Sequence, residues 1–205
     1  MEDFVVYNNY ISQEELKKLN IFISNNAVVQ NGAKIYFNSC IIGDSVVYST
    51  AVIHSNSTVI NSVIRAESII YSSRIEDSEL DAGCVVGPFA HIKDNCKLGK
   101  NCKVGNFSVV KNSELSDNVS IAHLALIENA EIDRYSIVRS GVVFSSNDSK
   151  ILIGDNVAIG ENSSIIAPVE ISDEAVVGVG CVVNKNVGVK EFASNKPKQT
   201  NSTIN

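Results

Sequence analysis

Aliphatic residues fall on every sixth position at Leu80, Val86, Ile92, Leu98, Val104 and Val110, and after one five-residue step resume at Leu115, Ile121 and Ile127. Two positions before each sits a small or β-branched side chain: Ser78, Cys84, Ala90, Cys96, Cys102, Ser108, Ser113, Val119 and Ala125. A period of six fits neither the 3.6 of a helix nor the alternation of a plain strand. It is the period of a chain that turns a corner every six residues, as a parallel β-helix does.

The pattern extends both ways. Upstream it runs Ile23, Val29, Ile35, Ile42, Val47, Ile53, Val59, Ile64, Ile70 and Ile75, in steps of five to seven, with Cys40 in the small slot before Ile42. Downstream come Ile132, Val138 and Phe144, a nine-residue gap to Ile153, and then strict steps of six to Val189. The extra residues of the gap, within SSNDSK, are polar and turn-prone, and they predict a loop bulging from one corner. With three sides per coil, the repeats predict about nine to ten coils stacked roughly 4.8 Å apart, a prism on the order of 45 Å long. The period itself fixes neither the number of sides nor the hand of the coil.

Residues 1–20 stand outside the repeat. Ser12 followed by Glu15 has the form of a capping box, which predicts a short helix in SQEELKKLN covering the open first coil. The expected plan is a cap over residues 1–20, a β-helix domain over 21–190, and a polar, Pro-interrupted tail over 191–205 that leaves the solenoid.

Composition narrows the function. The 205 residues include no tryptophan and are rich in Asn, Ser, Ile and Val, which suits flat buried layers joined by polar corners. A formal charge of −6 argues against general nucleic-acid binding. The amino end lacks a basic segment followed by an apolar run, and the run from Val176 to Val183 is far too short to span a bilayer. A cytoplasmic protein without membrane or nucleic-acid partners is expected. Cys40, Cys84, Cys96, Cys102 and Cys181 all read as small core fillers, with no C-x-x-C spacing for zinc. His54, His91 and His123 occupy different repeat slots, so no three-histidine metal site, and no metal, is expected.

Chemistry must come from polar residues that decorate the repeat. Lys93, Lys111 and Glu128 each follow a repeat aliphatic and lie eighteen and then seventeen residues apart, which stacks them in one outward column. Two lysines on adjacent coils repel unless an anion sits between them. A bound phosphate is one reading of the column and a solvated ion-pair ladder with Glu128 is the other. His123 follows this column by less than one coil and precedes the loop; a neutral imidazole there is either a general base or a structural residue.

The segments VGPFAHIK, KVGNFSVVKNSEL, IAHLALIENAEID and LIGDNVAIGENSSIIAPVEI resemble the C-terminal domain of the bifunctional GlmU enzymes, uridyltransferases and glucosamine-1-phosphate acetyltransferases. The resemblance runs from about Glu76 to about Val189. It implies an all-β fold, a single-stranded left-handed parallel β-helix of triangular section, assembled as a homotrimer with acetyl-CoA and the sugar bound between subunits. It further implies His123 as catalytic base and Lys93 and Lys111 as phosphate-binding residues. Asn147, in the shortened loop, would position the acetyl group, and Gly160, Gly178 and Val179 would line the coenzyme A path. The family's substrate tyrosine and asparagine are Leu126 and Ile137 here, which points to an acceptor bulkier or more apolar than glucosamine 1-phosphate. The family's coenzyme A serine is Glu161, an acid beside an anionic ligand. Two functions follow: an acetyl-CoA-dependent transferase acting on an amino or hydroxyl group of a phosphorylated or nucleotide-linked sugar, or a trimeric scaffold that keeps the fold without the activity.

Overall fold

The computed structural model describes residues 4–8 and 11–195. They wind into a left-handed parallel β-helix of about ten coils. Sheet A has eleven strands, sheet B ten and sheet C nine, and neighbours within each sheet are mostly three strands apart in sequence. Each coil therefore gives one short strand to every side. Among the described residues the one antiparallel pair is Phe4–Val6 against Lys34–Tyr36, which covers the first edge of sheet A.

The repeat aliphatics stack in register. Sheet A aligns Ile35, Ile53, Ile70, Val86, Val104, Ile121, Val138, Ile159 and Val177. All are buried, as are their counterparts on the other two sides apart from the half-buried Ile23 of the first coil, so the core is one continuous column of flat layers. The small slot beside most of these aliphatics is filled by alanine, cysteine, valine or serine, with isoleucine in it at Ile21 and Ile151. Its serines are satisfied across coils: Ser108 Oγ donates to the Ala122 carbonyl at 2.7 Å and accepts from the Ala125 amide at 3.1 Å. No buried side-chain nitrogen or oxygen among the described residues lacks a partner.

Three expectations are corrected. Ile41 is fully buried and pairs with Val59, while Ile42 and Cys40 are only half-buried. Ser39 fills the small slot, so Cys40 is not a core filler; Cys84, Cys96, Cys102 and Cys181 are. At the far end Val187 is buried and bridges to Ile171, whereas Val189 is exposed. The solenoid also runs past residue 190, because Phe192–Ala193 pairs with Val176–Val177. The rest of the expected tail, 196–205, lies outside the described residues.

The helix spans Gln13–Lys18. Ser12 caps it, its Oγ accepting from the Glu15 amide at 3.2 Å while the Glu15 carboxylate accepts from the Ser12 amide at 2.9 Å. That backbone bond to Ser12, more than any charge, holds the Glu15 carboxyl below its ordinary range. Leu16 points inward and closes the first coil.

Corners demand a left-handed residue, and most use Asn, Asp or Gly, which tolerate it. Asn20, Asn38 and Asn56 form one such column, joined by side-chain amide bonds of 2.9 and 3.4 Å. Three middle coils of this same corner, between sheets A and B, depart from the rule, with Phe89, Phe107 and Leu124 at φ values of 59, 58 and 59°.

Among the described residues Phe144 is the largest fully buried side chain and the only buried aromatic. Phe144→Ala is expected to lower stability by about 3–5 kcal/mol, and Phe144→Leu by clearly less. Urea unfolding followed by circular dichroism checks both.

Candidate active site

His123 lies two residues past Ile121, at the A/B corner, between Ser120–Ile121 and Leu126–Glu128. Its exposed ring is fixed from the previous coil, because the Asn106 amide donates to Nδ1 at 2.9 Å. A neutral ring bonded in this way carries its own proton on Nε2. Gly105 makes the arrangement possible: a Cβ there would lie 2.6 Å from Nδ1 and 2.7 Å from the Ala122 carbonyl carbon.

Along the same corner, past His123, a cleft of about 430 Å³ opens over the late coils. Gly160, Gly178 and Val179 line it, together with Arg139, Glu161 and Phe192. Its floor is narrow because side chains are missing: a Cβ on Gly160 would meet the Val179 amide nitrogen at 2.7 Å. Such a floor leaves room for a slender, extended ligand. Glu161 does not stand alone there, since Arg139 pairs with it across one coil at 3.8 Å.

The lysine column is at the other edge of sheet B. Lys93 and Lys111 are in register, as are Lys111 and Glu128. Lys111 Nζ donates to Glu128 at 2.7 Å, and this bond holds the ammonium above its ordinary range. Lys93 has no ion pair among the described residues. The acid one coil before it, Glu76, is taken by Arg74 and by His91 Nε2 at 2.8 Å, and the bond from Arg74 is the main reason that the Glu76 carboxyl sits below its ordinary range. Asn147 belongs to the predicted loop, which leaves this same corner after Ser145; Asn129 Nδ2 binds the Ser149 carbonyl at 2.8 Å, and Lys150 pairs with Glu131.

The predicted residues thus form two groups rather than one. Lys93, Lys111 and the Asn147 loop share the B/C corner, while His123, Gly160, Gly178 and Val179 share the A/B corner. Four residues, 124–127, lie between His123 and Glu128, a span of at most about 16 Å. Between the two edges runs an apolar strip, Val109, Leu126 and Val143 in register.

Sequence reasoning missed the Arg139 partner of Glu161 because the nine-residue gap pushes the two 22 positions apart, off the usual spacing. It also missed a ring ladder, Phe4, Tyr36, His54 and Tyr71, of which the steps of 18 and 17 residues from Tyr36 to His54 and Tyr71 are readable in the sequence while the antiparallel partner Phe4 is not. His54 lies between Tyr36 and Tyr71 at centroid distances of 4.5 and 4.4 Å, and burial pushes its pKa down. It is a packing residue. The Cys84 thiol is pushed up, first by its bond to Cys102 and then by burial, which keeps it protonated. Among the described residues no cluster of three His, Cys, Asp or Glu side chains is placed to hold a metal, and no helix is long and apolar enough to cross a membrane.

Residues 77–112 match the family described as bacterial transferase hexapeptide (six repeats). The Bifunctional protein GlmU of Clostridium botulinum (strain 657 / Type Ba4) is 32% identical over 184 residues, covering 88% of this chain and 40% of the relative. That of Wigglesworthia glossinidia brevipalpis is 36% identical over 198 residues, with 94% and 41% covered. The chain thus spans about two fifths of the length of these curated relatives. Among solved structures, LpxA from Acinetobacter baumannii aligns at a TM-score of 0.49 with 15% identity, over 85% of this chain and 71% of that one. The chain carries the hexapeptide repeat of bacterial transferases and resembles the GlmU proteins along most of its length.

Proposed function

We propose that the protein is a cytoplasmic acetyl-CoA-dependent acetyltransferase acting on an amino or hydroxyl group of a phosphorylated or nucleotide-linked sugar, and that it works as a homotrimer. The observation that carries this reading is the split of the candidate residues between two edges of sheet B. One edge offers cations to a phosphate; the other offers an imidazole at the mouth of a cleft that suits a thioester arm. A threefold assembly sets one subunit's His123 edge against the lysine edge of the next. Phe89, Phe107 and Leu124 favour such an assembly, since they put exposed apolar side chains in a strained conformation beside His123.

In this reading Lys93 and Lys111 hold the acceptor's phosphate, with Lys111 shared with Glu128. The apolar strip from Val109 to Val143 carries the rest of the acceptor, and Leu126 makes that surface unsuited to a small polar sugar. Asn147 orients the acyl group from the loop. His123 removes the acceptor's proton as its nitrogen or oxygen attacks the thioester carbon; the C–S bond then breaks and the sulfur leaves with that proton. For this the ring must offer a lone pair. A half-turn about Cβ–Cγ releases Nδ1 from Asn106 at the expense of one hydrogen bond, about 1 kcal/mol.

The scaffold alternative draws on the same geometry, with Lys111 engaged by Glu128 and Nδ1 by Asn106. Calorimetry with acetyl-CoA decides between them: heat of binding is expected, and its absence at high micromolar protein, with no thermal shift, removes the enzyme reading. His123→Ala is then expected to abolish thioester turnover while acetyl-CoA affinity stays unchanged; unchanged turnover would take His123 out of the mechanism. Gly105→Ala, which crowds Nδ1 directly, is expected to cut kcat by about a hundredfold with little change in acetyl-CoA affinity. Lys93→Ala is expected to raise the acceptor KM by roughly tenfold or more, the loss of a charge-assisted contact, and to leave the donor KM alone.

A further inference from the structure

Resting on the donor cleft assigned above, we infer that Arg139 is a specificity-determining residue of that cleft, offsetting the charge of Glu161 so that an anionic thioester donor is admitted. On the later coils the residue is out of keeping with its column, whose earlier coils carry the stacked rings of Tyr36, His54 and Tyr71. The position directly after the buried sheet A aliphatic is Gly87, Gly105, Ala122, Arg139, Gly160 and Gly178 on six successive coils. The one long side chain in that run lines the cleft, one coil beyond His123, and reaches forward to Glu161.

Folding gives no reason for the pair. Its side chains are 56% and 43% exposed and 3.8 Å apart, a geometry that contributes little to stability. Its effect on a ligand is larger. Coenzyme A brings several phosphate charges to a chain whose formal net charge is already −6. The cleft floor from Arg139 to Phe192 spans three coil steps, roughly 14 Å, with Glu161 in between. No part of a donor lying along it is more than about one Debye length from that carboxylate. Left unpaired, Glu161 repels the donor; paired with Arg139, it presents a nearly neutral surface.

Arg139 is placed for this role rather than for gripping the phosphates. It sits at the His123 end, where transfer requires the thioester, and the phosphates lie at the opposite end of the pantetheine arm.

Four proteins test the inference by calorimetry: wild type, Arg139→Gln, Glu161→Gln and the double variant, each against coenzyme A and against the uncharged acetyl-pantetheine. Arg139→Gln is expected to weaken coenzyme A binding by about five- to tenfold, less at high salt. Glu161→Gln is expected to bind as tightly as wild type or tighter, and the double variant to match Glu161→Gln within about twofold, with acetyl-pantetheine indifferent to all three changes. Coenzyme A affinity unchanged in Arg139→Gln overturns the inference. So does a double variant as weak as Arg139→Gln, which would make the guanidinium a direct contact, and so does an equal loss of acetyl-pantetheine, which would make it a shape element. A wild type that binds no coenzyme A fails the acetyltransferase reading and this inference together; a wild type that binds, with Arg139→Gln unaffected, fails this inference alone.

Discussion

Each coil can satisfy its strand amides and carbonyls only through the coil above and the coil below. Everything else in the molecule follows from that constraint. Hydrogen-bonded stacking forces equivalent positions into columns, so a side chain is judged against the same slot one turn away: aliphatic on aliphatic inside, serine hydroxyl bridging coil to coil in the small slot, asparagine on asparagine at the corners. The core aliphatics contribute about 1.5–3 kcal/mol each by burial, but it is the stacking that makes their positions equivalent. The same constraint puts Lys93 against Lys111 and brings Arg139 within reach of Glu161.

Columns also separate faces. Ion pairs gather on sheet C and its edges, where Arg65 meets Glu79 and Asp81 and Lys97 meets Glu114, each at 3.6–3.9 Å and largely exposed. Such pairs suit a side in contact with water. At the A/B corner, by contrast, Phe89 and Phe107 stack at 5.2 Å with Leu124 on the coil beyond. A left-handed conformation costs such residues about 1–2 kcal/mol each, and here it holds large apolar side chains in the open. Strain and exposure coincide on the coils where Gly105 makes room for the His123 ring.

The fold was legible because a period of six survives small errors. Taking Ile42 instead of Ile41 as the repeat aliphatic shifts one hexad by one residue and turns Cys40 inward where the chain turns Ser39 inward, yet the hexads on either side keep their register. Past Val183 the step shortens from six to four, so the strict period points to Val189 where the chain buries Val187, and it gives no sign of the strand Phe192–Ala193. The site was less legible. Column arithmetic placed Lys93, Lys111 and Glu128 correctly, but sequence separation alone made His123 a neighbour of theirs. Twelve residues past Lys111 is two corners on, and the width of sheet B intervenes. The partner of Nδ1 had no sequence signature at all, being a backbone amide.

The inserted loop shows how one departure from the period serves two edges at once. Its three extra residues leave the B/C corner beside Lys111, where they set Asp148 close enough to act on that ammonium. They also lengthen the coil that separates Val138 from Ile159 without altering the register, which stays aligned. Arg139 and Glu161 therefore meet as they would across any ordinary coil, although the chain between them carries the loop to a different corner. A change in loop length can thus remodel the acceptor side while the donor cleft keeps its geometry, since the stacked strands, and not the connection, hold the cleft residues in place.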